Sequence, residues 1–282
     1  MNCIITSSDF LYSVIEENYC TFTGYTGKAT EVIIPSETDG YIVQQISDNA
    51  FKDNTANIIV MPDTVTTIGA WAFCGCSNLS KVNFNEGLVS INQGAFNSCT
   101  SLNNVVLPST VTTVGRSAFE GCTSLTDIEL NEGITKIDMY AFKGCTNLSD
   151  LTIPESVTYI GARFIHGTAI EEINIPKNVV TMYSDTDDRG YAENYESALA
   201  GATSLTKVTF ADGMVTIPSR AVQNCTTVTE VIISDTVTTI DSYAFSGCSG
   251  FNEIVFPLNL IKINDYAFNG CTGLTSITIP NT

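Results

Sequence analysis

The stretch Thr123–Cys145, TSLTDIELNEGITKIDMYAFKGC, holds every part of a unit that the chain writes about ten times. In Leu125-x-x-Ile128-x-Leu130 the last two apolar residues alternate with polar ones, the period of a short strand with one buried face. A turn follows, then the β-branched run that Val65-Thr-Thr-Ile68 and Val111-Thr-Thr-Val114 also display, and then Ala141-Phe142 and Gly144-Cys145. The spacing predicts, per coil of about 23 residues, a strand, a turn, a short strand and a helical turn.

The Ala-Phe pair fixes the register. It recurs at Ala50-Phe51, Ala72-Phe73, Ala95-Phe96, Ala118-Phe119, Ala141-Phe142, Ala244-Phe245 and Ala267-Phe268, with Ile165, Leu199 and Val222 filling the same slot elsewhere. Just ahead of it stand Gly69, Asn92, Gly115, Asp138, Gly161, Asp241 and Asn264, residues that cap a turn or take an unusual backbone angle. Two residues past it come Gly75, Gly121, Gly144, Gly167, Gly201, Gly247 and Gly270, replaced by Ser98 and Asn224, as expected for a left-handed residue closing the turn. Proline often opens the turn after the first strand, as at Pro62, Pro108, Pro154, Pro176 and Pro257, where no ladder bond is lost. A single coil cannot bury its own apolar edge, so the core must arise by stacking like residue on like.

The pattern carried by VTTIGAWAFCGCSNLSKVNF, LPSTVTTVGRSAFEGCTSLTDIEL and VTTIDSYAFSGCSGFNEIVF resembles the BspA-like, or treponemal-type, leucine-rich repeat family, over about residues 28–282. The resemblance implies a β-rich leucine-rich-repeat solenoid. It also implies a non-enzymatic recognition module, a secreted or cell-surface bacterial adhesin binding host or other cell-surface proteins. The repeat positions themselves are structural, so no functional residue transfers with the family. A carbohydrate-binding module and a purely structural surface spacer are the alternatives.

The chain is 282 residues long, with 12 Lys and Arg against 30 Asp and Glu, a formal charge of −18. Such a surface repels phosphate backbones and anionic head groups, which argues against nucleic acid and membrane surfaces as partners. No run approaches 18 apolar residues, so no membrane insertion is expected. No signal peptide is read in MNCIITSSDFLYSVIEENYC, and the ending ITIPNT, part-way into another unit, reads as an excerpt of a longer protein. Residues 1–31 are expected to form a capping β-hairpin and 32–282 the solenoid.

Candidate chemistry is sparse. Seven of the ten cysteines occupy one slot, Cys76, Cys99, Cys122, Cys145, Cys225, Cys248 and Cys271, and read as a ladder of buried small thiols instead of a metal site. The one histidine, His166, falls in a polar, variable row and is expected to be solvated, so no catalytic triad can be built on it. No cofactor, metal or catalytic residue is expected.

The one irregularity is an insertion at 183–197, YSDTDDRGYAENYES. Asp185, Asp187, Gly190, Glu193 and Glu196 imitate a calcium loop, but Arg189 stands at a ligand position and the flanks are not two helices, so a solvated loop is the preferred reading. Insertions in solenoids often carry function, and Tyr183, Tyr191 and Tyr195 offer contact area at low entropic cost. With Asp185 and Asp187 they form one candidate ligand surface. The second is the acidic stretch of the outward strand rows, Asp127, Glu129, Asp150 and Glu172, suited to a basic partner.

Overall fold

The computed structural model describes residues 9–184 and 196–279. They fold as a β-solenoid of about ten coils, divided into two compact units: Met1–Ile134 with Gly144–Asn147, and Thr135–Lys143 with Leu148–Thr282. No helix is present among the described residues.

In the first unit two parallel ladders run through the stack. The long-strand ladder joins Glu31–Ile33, Ile58–Val60 and Lys81–Asn83, and separately Asn104–Val106 with Asp127–Glu129. The short-strand ladder joins Tyr41–Ile46, Thr67–Ile68, Ser90–Ile91 and Thr113–Val114. The N-terminal hairpin, Phe10–Glu16 against Tyr19–Tyr25, pairs in parallel with Tyr41–Ile46 and so covers the first rung of the short-strand ladder. Glu31–Ile33 starts the long-strand ladder beside it. The second unit repeats the plan, with Glu172–Ile175, Lys207–Phe210 and Glu230–Ile233 in one ladder and Thr216–Ile217, Thr239–Ile240 and Lys262–Ile263 in the other.

The core is the set of repeat slots. Phe51, Phe73, Phe96 and Phe119 are buried and stack face to face at 5.0, 5.2 and 5.4 Å between successive ring centres. Ile165, Leu199 and Val222 are equally buried in the slot they were assigned.

The segment expected to be a helical turn takes another form. Every second N–H bonds three residues back within its own coil, Ala72 to Gly69, Cys74 to Trp71 and Cys76 to Phe73. The N–H groups between them leave the coil altogether: Trp71 bonds Gln93, Phe73 bonds Ala95 and Gly75 bonds Asn97 of the next. That alternation requires two left-handed residues per turn, Trp71 at φ 58° and Gly75 at φ 74°. The second slot is the glycine position expected from the sequence, and Ser98 and Asn224 share its conformation. The first slot was not expected; it is occupied by bulky residues, Tyr140, Arg163, Arg220, Tyr243 and Tyr266 among them, where side chains cost about 1 kcal/mol or more. Their side chains cover the neighbouring coil, since Tyr243 stacks on Tyr266 at 5.1 Å and Arg220 lies 4.4 Å over Tyr243.

Candidate functional site

The cysteine ladder does more than fill space. All the slot thiols but Cys225, which bonds Gln223 of its own coil, donate to the carbonyl of the aromatic slot one coil back: Cys76 to Phe51 at 3.0 Å, Cys99 to Phe73 at 3.1 Å, Cys122 to Phe96 at 3.2 Å and Cys145 to Phe119 at 3.1 Å. In the second unit Cys248 reaches Val222 at 2.8 Å and Cys271 reaches Phe245 at 3.0 Å. Those carbonyls also accept the N–H three residues on, so the thiol takes the remaining lone pair. Burial holds the Cys145 and Cys225 thiols protonated, pushing both up to about 12. Such thiols are neither nucleophiles nor metal ligands at neutral pH. The ladder lapses around the insertion, where Thr168 and Ala202 stand in the slot and Thr168 bonds within its own coil.

His166 departs from the expectation of a solvated side chain. It is half-buried, its ring lying on the α-carbon of Gly201, where an added Cβ would fall 1.8 Å from Nδ1, and that nitrogen is shielded from water with no hydrogen-bond partner. A polar row in sequence does not reveal that the next coil offers a glycine at this height. Among the described residues no carboxylate or nucleophile engages the ring, and no three His, Cys, Asp or Glu gather to hold a metal ion.

The insertion leaves the stack as an antiparallel pair, Tyr183–Ser184 against Glu196–Ser197. Tyr183 is half-buried at its foot; Asp185, Asp187, Tyr191 and Tyr195 lie outside the described residues, as do Gly190 and Glu193. Glu196, the last position of the calcium-like pattern, is taken up by a two-pronged ion pair with the Arg163 guanidinium.

Asp127 and Glu129 stand exposed on one face of the strand Asp127–Glu129, with Asp127 accepting a bond from the Asn104 amide at 3.1 Å. On the same face of this unit Ile33 and Val106 are more than half exposed. Asp150 is exposed and belongs to no strand. Glu172 is exposed on Glu172–Ile175, but its row is not uniformly acidic: Lys207 sits between Glu172 at 3.6 Å and Glu230 at 3.7 Å. No helix of the described residues is long and apolar enough to cross a membrane.

The repeated coil, its aromatic stack and its thiol ladder define a pattern that a family model describes as the BspA type leucine rich repeat region, matched in six copies over residues 1–94, 44–129, 78–186 and 195–282. The chain belongs to that family. Solved structures share the solenoid fold. A leucine rich repeat protein of T. pallidum aligns at a TM-score of 0.58 and 24% identity, covering 79% of this chain and 90% of that one. The pneumococcal vaccine antigen PcpA aligns at 0.53 and 21%, covering 99% and 82%. No curated protein matches the chain. These likenesses speak for the BspA-type fold, whose repeat slots are consumed by packing.

Proposed function

We propose that this protein is a non-enzymatic recognition module, secreted or displayed on a cell surface, that holds host or other cell-surface proteins on its outward strand rows. One observation carries the reading. The aromatic and thiol slots of the first unit are buried, whereas its outward rows set exposed Val106 directly beside exposed Glu129 on the next strand, with exposed Asp127 two residues along, a combination the fold does not use. Apolar area rimmed by charge is the make-up of a protein-contact face. Surface location rests on the family. A protein ligand is preferred over nucleic acid because the formal charge is −18. No step of covalent chemistry is assigned to any side chain, since the buried thiols are held protonated and His166 packs on a glycine.

The test is capture of biotinylated surface proteins from epithelial cells on the immobilised chain, compared with a Val106→Glu/Glu129→Lys variant of equal melting temperature. Selective capture that the variant loses supports the reading. No capture, or the same proteins captured by both, removes it.

A further inference from the structure

The short-strand ladder of the second unit breaks at one step, and the break is built into the sequence. In each ordinary step the residue after the second turn donates its N–H to the coil before it: Thr158 to Thr135, Val180 to Thr158, Thr238 to Val215 and Ile261 to Thr238, at 2.8 to 3.0 Å. Val215 makes no such bond to Val180. The carbonyl of Met182, which the next coil would normally engage, instead accepts from the N–H of Ala198, the residue just after the insertion's returning strand, at 2.7 Å. The equivalent donor one coil on is Pro218, which has no N–H to give. A cleft of about 440 Å³ opens there, lined by Lys177, Val179, Val180, Val215, Pro218 and Asp241.

The residues flanking the break are apolar in a slot that is mostly threonine, and they are the one place where two such residues fall in consecutive coils, Val89 and Ile261 standing singly. This slot is threonine in five coils, Thr66, Thr112, Thr135, Thr158 and Thr238, and the hydroxyls of Thr66, Thr158 and Thr238 bond the carbonyl of the preceding coil at 3.3 to 3.4 Å. Val180 and Val215 replace it in consecutive coils, 72% and 58% exposed, among the larger exposures of apolar side chains in the described residues. Stability gains nothing from two valines held in water where threonine would bond.

We propose that this cleft, at the foot of the insertion, is a docking site for a polypeptide segment that seats an aliphatic side chain between Val180 and Val215 and carries Lys or Arg on either side. Charge selects that occupant. Exposed Glu155, whose carbonyl accepts from the lining Asn178 at 2.7 Å, and exposed Asp212, next to the lining Gly213, stand beside the cleft and Asp241 lines it, against the single Lys177. An acidic segment meets repulsion there, and an all-polar one leaves the valines wet. The proposal rests on the protein-recognition reading above and names a site for it apart from the outward long-strand rows.

The experiment uses fluorescein-labelled peptides of alternating Leu and Lys, alternating Ser and Lys, and alternating Leu and Glu, with anisotropy read at physiological salt. The Leu-Lys peptide should bind the whole chain and the other two should not. Val180→Thr/Val215→Thr installs the residue the slot carries in five other coils, so melting temperature should hold while Leu-Lys binding weakens at least about tenfold. Val89→Thr, in the same slot beside the intact ladder of the first unit, should leave binding unchanged. The proposal is overturned by equal binding of Ser-Lys peptide, by no binding of Leu-Lys, by unchanged affinity in the double variant, or by an equal loss in Val89→Thr. Failure of the peptide with surface capture intact would sink this site alone, whereas failure of capture would sink the broader reading.

Discussion

Replacing Phe96 by alanine probes the force that holds coil on coil. The ring is wholly buried, with Phe73 5.2 Å away on one side at 3°, Phe119 5.4 Å away on the other at 7°, and Phe84 edge-on at 5.7 Å. The cavity left behind cannot close, because the short-strand ladder fixes the spacing of the flanking coils at Ser90–Ile91 and Thr113–Val114. The loss should therefore fall at the upper end of the range for such truncations, about 4 to 5 kcal/mol. Phe268 is the contrast: it is half-buried, with a stacked neighbour on one side only, Phe245 at 5.2 Å, and Phe268→Ala should cost about 1 to 2 kcal/mol. Urea unfolding can be followed by far-ultraviolet circular dichroism and by the single tryptophan, Trp71, in the coil next to Phe96. Coincident transitions would license the free-energy comparison in a repeat protein. Losses equal within about 1 kcal/mol would refute the argument that stacking from both sides sets the energy.

Other expectations are as direct. Because the Cys145 and Cys225 thiols are raised to about 12 in the folded chain, while unfolded thiols ionise near 8.5, the native state binds more protons at alkaline pH. Their contribution to stability should be complete below about pH 8.5 and be lost as pH rises towards 12; a flat stability profile over that window would contradict it. Native chain should not react with a thiol reagent at these positions at pH 7, and should do so after unfolding. Gly201→Ala places a Cβ against the His166 ring at φ 76° and should cost about 2 kcal/mol or more, partly restored by adding His166→Ala. Ser98→Gly, at φ 60°, should stabilise by roughly 0.5 to 1 kcal/mol, read as a raised melting temperature.

Much of the fold could be read from the chain because its determinants are local to one coil. The aromatic slot, the thiol slot and the second left-handed slot are marked by residue types that have few other uses, as at Phe119, Cys122 and Gly121. The first left-handed slot was hidden because nothing about Trp71 or Tyr243 advertises a positive φ; their rings compensate by covering the next coil, a relation between coils 22 or 23 residues apart. Reading the turn as helical failed for the same reason, since the N–H of Phe73 finds its acceptor in the next coil instead of four residues back. The candidate site was half legible. The insertion and the outward carboxylates were visible as departures from the repeat. The break between Val180 and Val215 was not, because it depends on Ala198 taking a carbonyl that Pro218 cannot reach.

The alternating hydrogen bonds of the turn have a mechanical meaning. Within each unit the bonds from Trp71, Phe73 and Gly75, like those of both ladders, run from coil to coil and so lie along the stacking direction. A pull on the two ends of the chain would load them one coil at a time, peeling the stack from an end without shearing many bonds at once. Each coil released would pay out about 75 to 80 Å of chain. A stack held in this way yields in small steps and shortens again when the load drops.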